Sequence, residues 1–170
     1  EMNLPLILDY QRRFVAKLLS YSLNYDHVLY CMDNETVVSR RWGAYWADFV
    51  RAEATRLGKS VQTTEMWGRQ NLADPMHNRT FDDPTRYTFV DVSQNNHESG
   101  QQHYDKALSR RNSIRNRPRP MNNTKIYGAD GGPHTTAKNG IECFWRNLFG
   151  GHATVRFHRP ASGLGLSPRA

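Results

Sequence analysis

The chain has 170 residues, a formal net charge of +7 and a pI near 9.7, with 38% hydrophobic residues and a mean hydropathy of −0.78. That length suffices for a single domain, residues 1–170, with a real core. The 4 Trp, 8 Tyr and 7 Phe supply the buried area that argues against a disordered chain.

No run approaches the ~20 apolar residues of a membrane span, so no membrane partner is expected. The opening EMNLPLILDYQRR has too short an apolar patch, and Glu1 stands where a signal peptide is basic. A signal segment removed upstream would make the chain secreted; without one it reads as cytoplasmic. Cys31 and Cys143 are far apart and lack metal-ligand spacing, so both read as free structural thiols. Sequons begin at Asn34, Asn78 and Asn122, and matter only on a secretory route.

From Pro5 to about Leu23, apolar residues fall at helical spacing: Leu8, Phe14, Val15, Leu18, Leu19 and Leu23. HVLYCM follows as a short buried strand. Residues 39–58 repeat the helical period with Trp42, Tyr45, Trp46, Phe49, Val50, Ala54 and Leu57, with Ser39 placed to cap the start and Gly58 to end it. KSVQTTEMW predicts a second strand ending at Glu65, and a long polar loop with Pro75 and Pro84 comes next. RYTFVDVSQNN predicts a third strand, Gly100 to about Ile114 a polar helix, and NTKIYGADGG a fourth strand running into a Gly-rich turn. NGIECFWRNLFGG predicts a helix with Ile141, Phe144, Trp145 and Leu148 on one face. HATVRFHRP is the last strand and ASGLGLSPRA an open tail.

Such alternation predicts an α/β fold of parallel strands joined by helices. Polar residues gather where strands end, at 33–35, 65, 94–98, 130–134 and 156–159. Those are the ends at which α/β folds build their sites.

DHVLYCMDNE resembles the fourth strand of a cellulase-like glycoside hydrolase (β/α)8 barrel of the large retaining superfamily, where the strand ends in Asn-Glu. NNTKIYGADGG and GIECFWRNLFGGHATVRFHRPASGLGL are similar to its seventh and eighth units. SVQTTEMW and RYTFVDVSQNN are then strands five and six, and the likeness covers nearly the whole chain. It implies a partial TIM-barrel-like parallel sheet of about five βα units, strands four to eight. It also implies a hydrolase acting on a polysaccharide or oligosaccharide, with Glu35 as general acid/base, Asn34 holding the sugar 2-hydroxyl, and no cofactor. The sequence departs from the pattern twice. Strands one to three are missing from the count, which predicts an open sheet edge, a longer chain, a homo-oligomer or a completing chain. Where the superfamily carries its strand-seven glutamate, this sequence reads Asn122, Asn123, Thr124 and Lys125.

Glycoside hydrolysis needs a carboxylic acid at the leaving oxygen, its pKa raised by apolar walls or a neighbouring charge. For Glu35 these would be Tyr30, Trp42, Trp46 and Asp33; the competing reading is a capped turn in DNET. Glu65, beside Trp67, is the candidate second carboxylate, against a plain ion pair with an arginine. Trp67, Asn95, His97, Tyr127, Arg156 and His158 are candidate substrate-binding residues, the rings stacking on sugar faces and the polar groups reading hydroxyls. Arg156 and His158 share one face of a strand. Asp91 points either into the barrel or towards a helix, Glu98 and His134 join the same rim, and Glu142 is read as an ion-pair partner. His97 and Glu98 lack the convergent set a metal requires, so no metal site is expected. The run RRNSIRNRPRP suggests nucleic acid by charge. It lacks interleaved aromatics and lies at the rim opposite the strand ends, so a solvated linker is expected and nucleic acid is an unlikely partner. The alternative to hydrolysis is a non-catalytic remnant that binds carbohydrate or a partner chain.

Overall fold

The computed structural model describes residues 4–127 and 136–158. Helix α1 (Pro5–Ser22) starts on a proline, whose missing N–H is harmless at a first helical position. Its inner face sets Leu19, with Leu23 just beyond, against Val50 and Ala54 of α2 (Arg40–Arg56), and Tyr30 and Met32 pack beneath them. Gly58 adopts φ +68 after α2, the left-handed conformation that ends a helix at little cost to glycine.

β1 (Leu29–Cys31) pairs in parallel with β2 (Gln62–Thr64). β3 (Val90–Asp91), β4 (Met121–Ile126) and β5 (Thr154–Phe157) form a second parallel sheet in chain order. Helices α3 (Asn78–Phe81), α4 (Gly100–Ser113) and α5 (Ala137–Phe149) are the other α-helices of the described residues. The mixed α/β class with parallel strands is therefore as the alternation predicts.

Among the described residues there is no continuous five-stranded sheet, but a sheet of two strands and a sheet of three. The break has a local cause. Thr63 gives its N–H to the Thr88 hydroxyl at 3.0 Å and its hydroxyl to the Arg86 carbonyl at 2.6 Å. The main-chain link there, from Phe89 N–H to the Thr63 carbonyl, is 3.5 Å long. Side-chain bonds have replaced a ladder. β3 is also shorter than expected, because Asp91 accepts from the Ser93 N–H (2.9 Å) and hydroxyl (2.8 Å) and turns the chain into a 3₁₀ segment, Ser93–His97.

The expected solvated arginine linker is instead partly a set of clamps. Arg119 donates to the Thr80 and Tyr87 carbonyls at 3.1 and 2.8 Å, and Arg111 to the Gly150 carbonyl at 3.0 Å. Arg110 reaches the Asn78 side-chain oxygen at 2.7 Å. Guanidinium groups can satisfy several loop carbonyls at once, which is how a long connection is held in place.

Alternation assigns the two faces of the strands. Val90, Val92 and Met121 join Leu72, Phe81 and Ile114 in a core on the helix side, and Phe157 stacks on Phe144 of α5. Cys31, Thr64, Asp91, Asn122 and Arg156 therefore belong to the opposite face. The Gly-rich turn after β4, His134, Arg159 and the closing tail lie outside the described residues.

Candidate functional site

The chain leaves β1 through Asp33 and Asn34 and reaches Glu35, a non-glycine residue at φ +53. A left-handed glutamate is uncommon and costs energy unless its surroundings hold it. They do. Thr36 donates its N–H to the Met66 carbonyl at 3.2 Å, its own carbonyl accepts from Gly68 N–H at 2.7 Å, and Thr36 bridges Trp67 in parallel. Gly68 is required for this approach, since a Cβ there would sit 2.6 Å from the Glu35 carbonyl oxygen. The loops after β1 and β2 are thus laced together, and Glu35 is presented outward.

Its carboxylate meets Lys125 of β4, an ion pair joining residues 90 apart in sequence. The lysine side chain is 9% exposed and the glutamate 45%. The Lys125 hydrogen bond holds the Glu35 carboxyl below the ordinary glutamate value; partial burial opposes it, while Gln94, Lys125's charge and His97 reinforce it. Glu35 is therefore ionised at rest. The apolar walls expected around it are elsewhere: Tyr30 packs in the α1–α2 core and Trp46 is buried on α2.

Glu65 differs in each respect. It is 1% exposed, and its carboxylate fills the space where a Cβ on Gly43 of α2 would stand, 1.3 Å from Oε1. The side chain points to the helix layer. Among the described residues no arginine pairs with it, and neither oxygen has a hydrogen-bond partner of good geometry. Burial pushes its pKa up to about 7 and the Asp33 charge adds to this; Tyr87, Arg40 and Arg79 oppose. Asp33 is pushed up to about 6 by burial, opposed by the Met66 N–H, which donates to Oδ1 at 3.1 Å. Asp91 is likewise raised to about 6 by burial, against donors from Ser93 and the Asn122 amide at 2.8 Å.

The other candidates divide between rim and core. Asn34 and Arg156 are exposed, and His97 is half-buried among the charges that act on Glu35. Tyr127 and His158 meet at the ends of β4 and β5, ring centres 4.9 Å apart and edge to face. Trp67 is corrected from a stacking platform to a core residue: it is 2% exposed, donates to the Thr80 hydroxyl at 2.7 Å and carries the Arg79 guanidinium 5.0 Å from its ring. Asn95 is also buried, its amide donating to the His103 carbonyl at 2.8 Å. Glu98 pairs with Lys106, and Glu142 with Arg146 at 3.1 Å.

Cys31 is exposed on the free edge rather than buried, with its thiol turned inward to donate to the Asp33 carbonyl at 2.9 Å. Burial of the sulfur, then the Asp91 charge, pushes that thiol well above its usual range. Asn122 is buried, so its sequon is closed to modification in the folded chain. Among the described residues no group of three or more His, Cys, Asp or Glu is arranged to hold a metal, and no helix is long and apolar enough to cross a membrane.

Sequence reasoning missed Lys125 as the partner of Glu35, Gln94 beside it, and Gly68 beneath it. Local pattern carries no trace of the first two, because tertiary pairing makes them neighbours. The chain matches no protein-family model, curated protein or solved structure.

Proposed function

We propose that the protein is glycoside hydrolase-like and acts on a polysaccharide or oligosaccharide, with Glu35 as its acid/base residue. The observation that carries this reading is selective access. Of the carboxyl groups drawn to the ends of β1, β2 and β3, Glu35 is the exposed one, while Glu65 and Asp91 are buried and Asp33 is half-buried. The supporting architecture is parallel strands in chain order with helix cores on one side, and Phe89 N–H bridging the two sheets at the Thr63 carbonyl. Asn34, exposed next to Glu35, is positioned in sequence to read a sugar hydroxyl, with Tyr127, Arg156 and His158 on neighbouring strand ends.

In the resting protein Lys125 keeps Glu35 as a carboxylate, the form that accepts a proton from water. Protonating a glycosidic oxygen needs the acid form, so a bound sugar must displace the ammonium or exclude water before Glu35 can donate. Glu35 then takes a proton from solvent and passes it to the leaving oxygen as the glycosidic C–O bond breaks; water adds to the anomeric carbon and gives its proton to the restored Glu35 carboxylate. Glu65 does not serve as the second carboxylate in this reading, because its side chain faces α2.

The second reading, carbohydrate binding without hydrolysis, is favoured by one observation: Lys125 occupies the strand end where the resembled superfamily carries its nucleophile, and it is salt-bridged to the acid. The test is hydrolysis and binding of a panel of polysaccharides and aryl glycosides by the chain and by Glu35→Gln. Hydrolysis lost in the variant supports the enzyme; binding with no hydrolysis in either supports the remnant; neither binding nor hydrolysis by a folded chain overturns both.

A further inference from the structure

Away from this site, an apolar groove of about 760 Å³ runs between α1 and the free edge of β1, with Phe14, Leu18 and Tyr21 on one wall and Leu29 and Trp42 on the other. The wall is part of a longer stripe. Ile7, Tyr10, Phe14, Leu18 and Tyr21 recur every three or four residues on the outer side of α1, opposite Leu19, and each is 50% or more exposed. α1 is therefore apolar on two sides, and the described chain covers one of them.

We propose that this outer stripe is the interface of a symmetric dimer, in which α1 of one copy lies antiparallel on α1 of a second copy. Two observations favour a second copy as the occupant. The first is self-complementarity. An antiparallel pair centred on Phe14 sets Ile7 against Tyr21, Tyr10 against Leu18 and Phe14 against itself, which is what a two-fold interface requires. The second is size. Five large side chains at this exposure, with Leu6 (70%) and Tyr25 (60%) at the margins, offer on the order of 800 Å² per copy, about what a standard interface buries on each partner.

The β1 edge lies at the side of this interface. Leu29 and Cys31 point away from the helix core, and on the side away from β2 the strand has no paired neighbour in the described structure. Covering the adjoining groove with a second copy protects an apolar edge that would otherwise invite pairing.

The experiment is sedimentation velocity of the full chain from about 1 to 100 µM in 0.15 M salt, where the Debye length of ~8 Å screens the net charge of +7. A concentration-dependent shift from 19.7 kDa to twice that mass is expected. Phe14→Glu places two buried charges in each dimer and should weaken association at least tenfold. It should leave the monomer folded, because Phe14 is 64% exposed. A monomer throughout the range with a native far-UV spectrum overturns the proposal, as does a dimer indifferent to Phe14→Glu or an open-ended ladder of larger species.

Discussion

Replacing Glu65 with glutamine tests how the two glutamates at the ends of β1 and β2 differ. Burial raises the Glu65 pKa from 4.5 to about 7. Below pH 4.5 the carboxyl is protonated in folded and unfolded chains alike, and stability does not depend on it. Between pH 4.5 and 7 the unfolded chain ionises while the folded chain keeps its proton, so native stability falls as pH rises. The loss is complete above pH 7. A shift of this size corresponds to about 3 kcal/mol at 1.36 kcal/mol per pH unit. Asp33 and Asp91 are shifted the same way and steepen the parent's profile, so the difference between parent and variant isolates Glu65. Urea unfolding at pH 5 and pH 8 is the assay. Glu65→Gln should lose about 3 kcal/mol less than the parent between those two conditions. Parallel pH profiles would refute the reasoning, since they would mean that Glu65 ionises freely in the native state.

Further expectations concern the Glu35 turn and its neighbours. Lys125→Met removes the cation that holds Glu35 down, so the Glu35 carboxyl should titrate at higher pH, read by 13C NMR of labelled glutamate. In the parent, Glu35 contributes stability above its unfolded pKa that is lost as pH falls through its lower folded value; the exposed side chain keeps this within about 1 kcal/mol. Gly68→Ala should push the Glu35 carbonyl away, costing about 1–3 kcal/mol in urea melts and lowering any carbohydrate activity with it. Trp67→Phe should cost about 1 kcal/mol through the lost Thr80 bond and leave carbohydrate affinity unchanged.

Local pattern carried most of the element order. The stripe from Leu8 to Leu23, the Trp-rich period of α2, the capping position of Gly58 and the polar helix after Gly100 each reappear within a few residues of their expected bounds. Strand lengths were less legible. HVLYCM and RYTFVDVSQNN shrink because ladder pairing depends on neighbours, and Thr63 and Asp91 divert it through side-chain bonds that composition does not announce. The site was legible as a set of strand ends and illegible as a set of orientations. Glu65 and Trp67 look like rim residues in sequence, yet alternation from Thr64 sends Glu65 into Gly43's space, and Trp67 finds Thr80 in the core. Lys125 stood out as the wrong residue for a nucleophile. Its pairing with Glu35 across 90 residues needed the fold.

The measurement that tests the account most directly is hydrolysis of the glycan panel by the parent, Glu35→Gln and Glu65→Gln side by side, each verified as folded. The account predicts activity in the parent and in Glu65→Gln, and its loss in Glu35→Gln. Activity that survives Glu35→Gln, or that depends on Glu65 instead, would contradict it.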